Sequence, residues 1–238
     1  MHRYRIVFIK EGDFACLSHL DLQRTFIRTL RRAGLPLLYS QGFNPQPRLS
    51  FAAPLAVGIV GDGEFLEFDL INHIESETIK TALNGLLPPE LAVRSVREVD
   101  PHAPVLASQV GAALYLVIFS PPVPELAPAV QSLLAAPVLE VERPGKKTIK
   151  RVDIRPFIYN LYLQNAFEED KLLMFIATGN QGGTRPAEVM SLLPSQTGPE
   201  QVRRLAIFIS SANDYITPEG EALSAYLDRL HLNTKESE

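Results

Sequence analysis

One order of elements, strand–helix–strand–strand–helix–strand, can be read twice along this 238-residue chain, and it limits the folds open to it more than any other feature. Residues 4–10 form an apolar run of strand type that Gly12-Asp13 brings to an end. Ser18 follows as an N-cap, with Asp21 in the place of a capping-box acid, and a helix is predicted over 18–33. Gly34 stands at its C-terminal stop, with Pro36 beyond it. Residues 50–60 and 64–70 read as two strands joined at Gly61-Asp62-Gly63, a hairpin signal. Residues 76–86 read as a second helix, and 91–99 as a strand ending at Asp100-Pro101. This βαββαβ order is the ferredoxin-like arrangement.

Pro101-His102-Ala103-Pro104 reads as a connection, after which the outline repeats. A strand over 112–119 leads to a helix over 123–134 with prolines in its first turn. Residues 138–143 and 147–152 form a hairpin around Pro144-Gly145, and 153–157 a short turn. Strands over 158–164 and 172–178, a helix over 185–193 beginning with Pro186, and a strand over 203–210 complete the second half. The expectation is an α+β protein of two tandem ferredoxin-like (βαββαβ) domains with a C-terminal helix. The first covers 1–100, a linker 101–110, and the second, with its extra hairpin, 111–210. A helix and polar tail occupy 211–238, the helix starting at Thr217-Pro218 and running to about His231.

A hydrophobic content of 46% with 21% charge supports a sizeable core. No apolar run approaches the roughly 20 residues of a bilayer-spanning helix. Ile6-Val7-Phe8-Ile9 is too short for a signal-peptide core and is broken by Lys10-Glu11-Gly12-Asp13, so a cytoplasmic protein with no membrane contact is expected. The single cysteine, Cys16, excludes an internal disulfide and a cluster of thiolate ligands. His2, His19, His73, His102 and His231 show no metal-site spacing, so neither a metal nor another cofactor is expected.

The net charge of −4 hides two basic islands. Residues 18–50 carry Arg24, Arg28, Arg31, Arg32 and Arg48 against Asp21 alone, a local charge of +4. Residues 143–155 carry Arg143, Lys146, Lys147, Lys150, Arg151 and Arg155 against Asp153, a local charge of +5. The rest of the chain is therefore −13. Basic islands on an acidic body point to localised attraction for an anion, and RNA is the commonest large one.

The first island coincides with the most specialised stretch, residues 18–55. Leu22, Phe26, Leu30 and Ala33 fall within an arc of about 80° that must face the core. Arg24, Arg28 and Arg31 lie within about 60° of one another on the opposite face, with Arg32 beside them. The acidic i+4 partners that would interleave on a merely solvated face are missing, which suits a phosphate-binding role. Tyr39-Ser40-Gln41-Gly42-Phe43-Asn44-Pro45 then combines two rings with hydroxyls and amides, able to stack on bases and bond their edges. Prolines 36, 45 and 47 also make it a rigid connection. His19, at the first helical position, has two open readings. It packs at the sheet edge and helps cap the helix, or, held neutral by the positive helix end, it acts as a base. A glycine-rich loop over 179–186 could admit an anion beside Arg185, or be a hairpin tip. It has neither the Lys-Ser/Thr of a P-loop nor the Rossmann glycine spacing.

Ser18-His19-Leu20-Asp21-Leu22, Arg31-Arg32-Ala33, Leu35-Pro36, the run from Tyr39 to Pro47 and Ser50-Phe51-Ala52-Ala53-Pro54-Leu55 together resemble the radical-SAM-linked protein family. This is a bacterial domain of unknown function, fused to the C-terminus of a B12-type radical SAM protein or encoded beside one. Val152-Asp153-Ile154-Arg155-Pro156 and Thr184-Arg185-Pro186 are similar to its second half, and the likeness covers most of 3–210. The resemblance implies a radical SAM protein as partner and supplies no catalytic residues. Radical SAM chemistry needs three cysteines on an iron–sulfur cluster, so a chain with Cys16 alone is expected to be an accessory that binds RNA or presents a substrate. A looser likeness of architecture is to the CRISPR repeat-processing endoribonucleases, in which His19 and Tyr39 would take the acid–base roles without a metal. A purely protein-interaction module is the third expectation.

Overall fold

The computed structural model describes residues 1–145, 148–165, 168–179, 182–194, 198–211 and 214–230. They form a mixed α+β protein with mostly antiparallel strands and, among the described residues, five α-helices. The chain divides into two compact units, Met1–Val110 and Gly111–Glu238. Among the described residues, no helix is long and apolar enough to cross a membrane.

The first unit contains β1 (His2–Lys10), α1 (His19–Arg32), β2 (Leu49–Phe51), β3 (Val60–Leu70), α2 (Ser76–Asn84) and β4 (Val93–Val99). Its strands lie in the order β4-β1-β3-β2, each antiparallel to its neighbour. Tyr4, Ile6 and Phe8 alternate along β1 and are fully buried. They pack with Leu22, Phe26 and Leu30 of α1 and with Ile79 and Leu83 of α2, so both helices cover the same face. Phe8 and Phe26 meet edge to face at 4.7 Å between ring centres, and Phe51 adds a third ring.

Two expectations are corrected here. The strand foreseen over 50–60 shrinks to Leu49–Phe51, because Pro54 has no N–H to give a ladder and Gly58 turns the chain at φ +84°. Gly61-Asp62-Gly63 is no hairpin turn but part of β3. Phe8 pairs with Glu64 and Lys10 with Gly61, so two steps along β1 match three along β3. The glycines mark this bulge, where a β-carbon at Gly61 would lie 2.5 Å from Glu64 Cγ.

The residues foreseen as a linker are fixed to the first unit by charge. Arg3 and Asp69 face each other across β1 and β3, as do Arg5 and Glu67. Arg3 Nε donates to Asp69 at 3.0 Å and its terminal nitrogen to the Ala103 carbonyl at 2.8 Å. Arg5 donates to Glu67 Oε1 at 2.7 Å, while Glu67 Oε2 accepts from the Leu106 amide at 2.8 Å.

The second unit's elements are β5 (Val110–Phe119), α3 (Leu126–Ala135), β6 (Glu140–Pro144), β7 (Ile149–Asp153), β8 (Ile158–Asn165), β9 (Asp170–Ala177), α4 (Pro186–Met190), β10 (Gln201–Ser211), β11 (Asp214–Ile216) and α5 (Leu223–Arg229). The sheet order is β10-β5-β9-β8, with β11 on β10, while β6 and β7 form a separate hairpin. Ala112, Leu114, Leu173, Phe175, Ala206 and Phe208 build a core that Leu227 of α5 closes. The C-terminal helix starts later than foreseen. Gly220, at φ +97°, and Thr217 make a turn in which the Thr217 hydroxyl accepts from the Glu221 amide at 3.0 Å, so Thr217-Pro218 opens a turn and not the helix. His231 and the tail lie outside the described residues.

Candidate functional site

Helix α1 is terminated at both ends by the residues that the sequence supplies for it. Ser18 Oγ accepts from the Asp21 amide at 3.2 Å and donates to the Asp21 carboxylate at 2.7 Å. That bond, with Arg24 beside it, holds the Asp21 carboxyl below its ordinary pKa. At the other end Gly34 takes φ +69°, its N–H bonding the Arg31 carbonyl and that of Leu35 the Leu30 carbonyl, a Schellman stop. With Leu22, Phe26 and Leu30 buried, the opposite face exposes Arg24, Arg28, Arg31 and Arg32. Arg24 meets Asp21 at 3.2 Å, an exposed pair of little energetic weight. Arg28 donates to the Arg24 carbonyl at 3.3 Å. Among the described residues, no carboxylate pairs with Arg28, Arg31 or Arg32.

The following loop is closed at its base and open at its tip. Tyr39 pairs with Pro47, the Ser40 amide donates to the Gln46 carbonyl at 2.8 Å, and the Gln46 amide to Ser40 Oγ at 3.0 Å. Residues 41–45 therefore project, with Gln41 and Asn44 exposed and Phe43 106% accessible. A phenyl ring wholly in water on a fastened loop has no packing role within its own unit. Tyr39, at the base of this loop, meets the arginine row. Its hydroxyl accepts from Arg31 Nε at 3.2 Å, and the guanidinium carbon stands 5.7 Å from its ring centre.

Other foreseen site residues have different surroundings. The His19 ring stands edge-on to Phe51 at 5.2 Å, in continuity with the aromatic core. Arg48 turns to the outer face of the sheet, 3.8 Å from Asp69, where it lines a cavity of about 250 Å³. Two arginines of the second island, Arg143 and Arg155, are engaged within their own unit. Arg155 donates to the carbonyls of Leu134, Ala136 and Ile158 at 2.8–3.1 Å. Arg143 forks onto Glu188 at 2.7 and 2.8 Å. Arg151 lies 3.9 Å from both Glu140 and Glu142, and Lys150 is exposed. Lys146 and Lys147 lie outside the described residues, as do Asn180 and Gln181 of the glycine-rich loop. Gly183 of that loop is required by close packing, since a β-carbon there would lie 2.5 Å from the Ala177 carbonyl oxygen. Arg185 is exposed just ahead of α4.

Burial alone would raise the Glu188 pKa, yet Arg143, the Arg185 amide and the Thr184 hydroxyl together hold it below 4.5. Its ionised form thus stabilises the fold above that value, and the contribution is lost as pH falls through the lowered pKa. Glu188→Gln should cost about 2 kcal/mol at pH 7. The difference from wild type, followed by thermal melting, should shrink as the pH is taken below 4.5.

One cluster has no trace in sequence spacing. His2 at the start of β1, His73 between β3 and α2, and Glu98 of β4 converge at the edge of the first unit's sheet. The His2 and His73 Nδ1 atoms lie 2.6 and 3.0 Å from the two oxygens of Glu98. Hydrogen bonds to Glu75 and Glu98 raise the His73 pKa, and those Glu98 accepts from His2 and His73 lower that of Glu98.

A row of exposed arginines on a capped helix, followed by a loop that exposes a phenyl and two amides, gives this α+β protein a basic, ring-bearing surface. The chain belongs to a bacterial family described as "Uncharacterized protein conserved in bacteria (DUF2344)", which matches residues 3–186. No curated protein matches it.

Proposed function

We propose that the protein is an accessory RNA-binding module that works with a radical SAM enzyme, and that single-stranded RNA lies along α1 and the 39–47 loop. The observation that carries this reading is the Arg31–Tyr39 contact, which sets the base of the Phe43 loop against the arginine row. Phosphates follow Arg24, Arg28, Arg31 and Arg32, while a base stacks on Phe43 within reach of the Gln41 and Asn44 amides. An exposed ring needs an unstacked base, which favours single strands over duplex. The strand orders β4-β1-β3-β2 and β10-β5-β9-β8 support two tandem ferredoxin-like domains as the scaffold, the second with β6–β7 inserted. The single cysteine and the resemblance to the radical-SAM-linked family support an accessory role.

Fluorescence anisotropy with a labelled single-stranded RNA across a salt series tests the site. Arg24→Ala/Arg28→Ala/Arg31→Ala should flatten the slope of log K against log salt by about 2, from roughly 0.7 per phosphate. Phe43→Ala should cost about 1–3 kcal/mol and leave that slope unchanged. An unaltered slope in the triple variant refutes the electrostatic surface. The association with a radical SAM protein is tested by co-purification after nuclease treatment.

A further inference from the structure

The His2–His73–Glu98 cluster is separate from the RNA-binding reading and rests on none of it. Its three side chains come from β1, the β3–α2 connection and β4, with His2 and Glu98 96 positions apart in sequence. One ligand atom from each lies within 4.8 Å of the others. A tetrahedral ion with ligands at about 2.0–2.2 Å holds them roughly 3.3–3.6 Å apart, which these side chains can reach by small rotations.

The surroundings suit a metal. The His73 ring has its other nitrogen, Nε2, 3.3 Å from Glu75 Oε1. A proton on Nε2 donated to Glu75 leaves the Nδ1 lone pair for an ion, the carboxylate–histidine–metal pattern. The next residue is pinned, because the buried Tyr4 hydroxyl accepts from the Ile74 amide at 2.8 Å and donates to the Ile74 carbonyl at 2.7 Å. His2 and His73 stand edge to face, 5.6 Å between ring centres, with Glu98 serving both. Side-chain exposures of 34%, 51% and 36% leave the cluster open to an incoming ion and to a water as fourth ligand.

We propose that His2 and His73, through Nδ1, and the Glu98 carboxylate bind a divalent transition-metal ion of the zinc class. Two imidazoles and one carboxylate select such a metal over Mg²⁺ or Ca²⁺, which take oxygen ligands.

The test uses the full chain, freed of any affinity tag and stripped with a chelator, then titrated with Zn²⁺ against a chromophoric competitor. One zinc per chain is expected, with no competition from Mg²⁺. Glu75→Gln should weaken binding about 10–100-fold, as the loss of an outer partner does, and His73→Ala and Glu98→Gln by more. His102→Ala, outside the cluster, should bind as wild type does. Circular dichroism of each variant separates lost ligands from lost fold. No zinc uptake by the wild-type chain, or uptake unchanged in His73→Ala/Glu98→Gln, overturns the proposal.

Discussion

Glu67→Ala is expected to destabilise the first unit by about 3–5 kcal/mol, the range for breaking one side of a buried ion pair. Arg5 and Glu67 face each other in the β1–β3 ladder, with side-chain exposures of only 11% and 4%. The carboxylate has two tasks. Oε1 takes Arg5 at 3.0 and 2.7 Å, and Oε2 takes the Leu106 amide at 2.8 Å. Alanine removes both at once, whereas glutamine keeps an oxygen for Leu106 and loses the charge. The order of stability should therefore be wild type, Glu67→Gln, Glu67→Ala, measured by urea denaturation. Hydrogen exchange adds a local readout: the Leu106 amide should lose protection in the alanine variant far more than in the glutamine one. Equal protection in all three proteins would falsify the grip of Glu67 on this segment.

That segment shows what a sequence can and cannot announce. Pro101-His102-Ala103-Pro104 has the composition of a linker, yet Arg3 holds the Ala103 carbonyl and Glu67 the Leu106 amide. Local chemistry was legible because each signal acts within a few residues. Ser18 caps α1, Gly34 ends it, and Leu22, Phe26 and Leu30 are buried as foreseen, with Ala33 half-buried. Signals with two physical causes misled. A Gly-Asp-Gly run serves a tight turn or a bulge equally well, and only the pairing of Lys10 with Gly61 decides for the bulge. Thr217-Pro218 starts helices and turns alike, and Gly220 decided for a turn. Charge counting sees a cation and not the groups that surround it. His2, His73 and Glu98 were beyond reach for the same reason: their meeting depends on how β1 and β4 pair.

Arg155, which the sequence places among the RNA- or partner-binding residues, should act instead on stability. Helix α3 ends with carbonyls that no helical N–H can satisfy, at the negative end of its dipole. Arg155 supplies the donors, bonding Leu134 at 2.9 Å and Ala136 at 3.1 Å, and ties them to β8 through Ile158 at 2.8 Å. Arg155→Ala should therefore cost about 3 kcal/mol of stability, near the upper value for a hydrogen bond from a charged donor, because three acceptors lose their partner together. Arg155→Lys should recover less than half, since a single ammonium cannot reproduce a planar fork. Arg28→Ala should behave in the opposite way. Its side chain is exposed and its hydrogen bond is to the Arg24 carbonyl, so stability should stay within about 0.5 kcal/mol of wild type. Measured together, melting and RNA salt dependence should cross: Arg155→Ala moves the first and not the second, and Arg28→Ala the second and not the first. If Arg155→Ala instead leaves melting unchanged and flattens the salt slope, then its three carbonyl bonds are dispensable and the second island binds RNA after all.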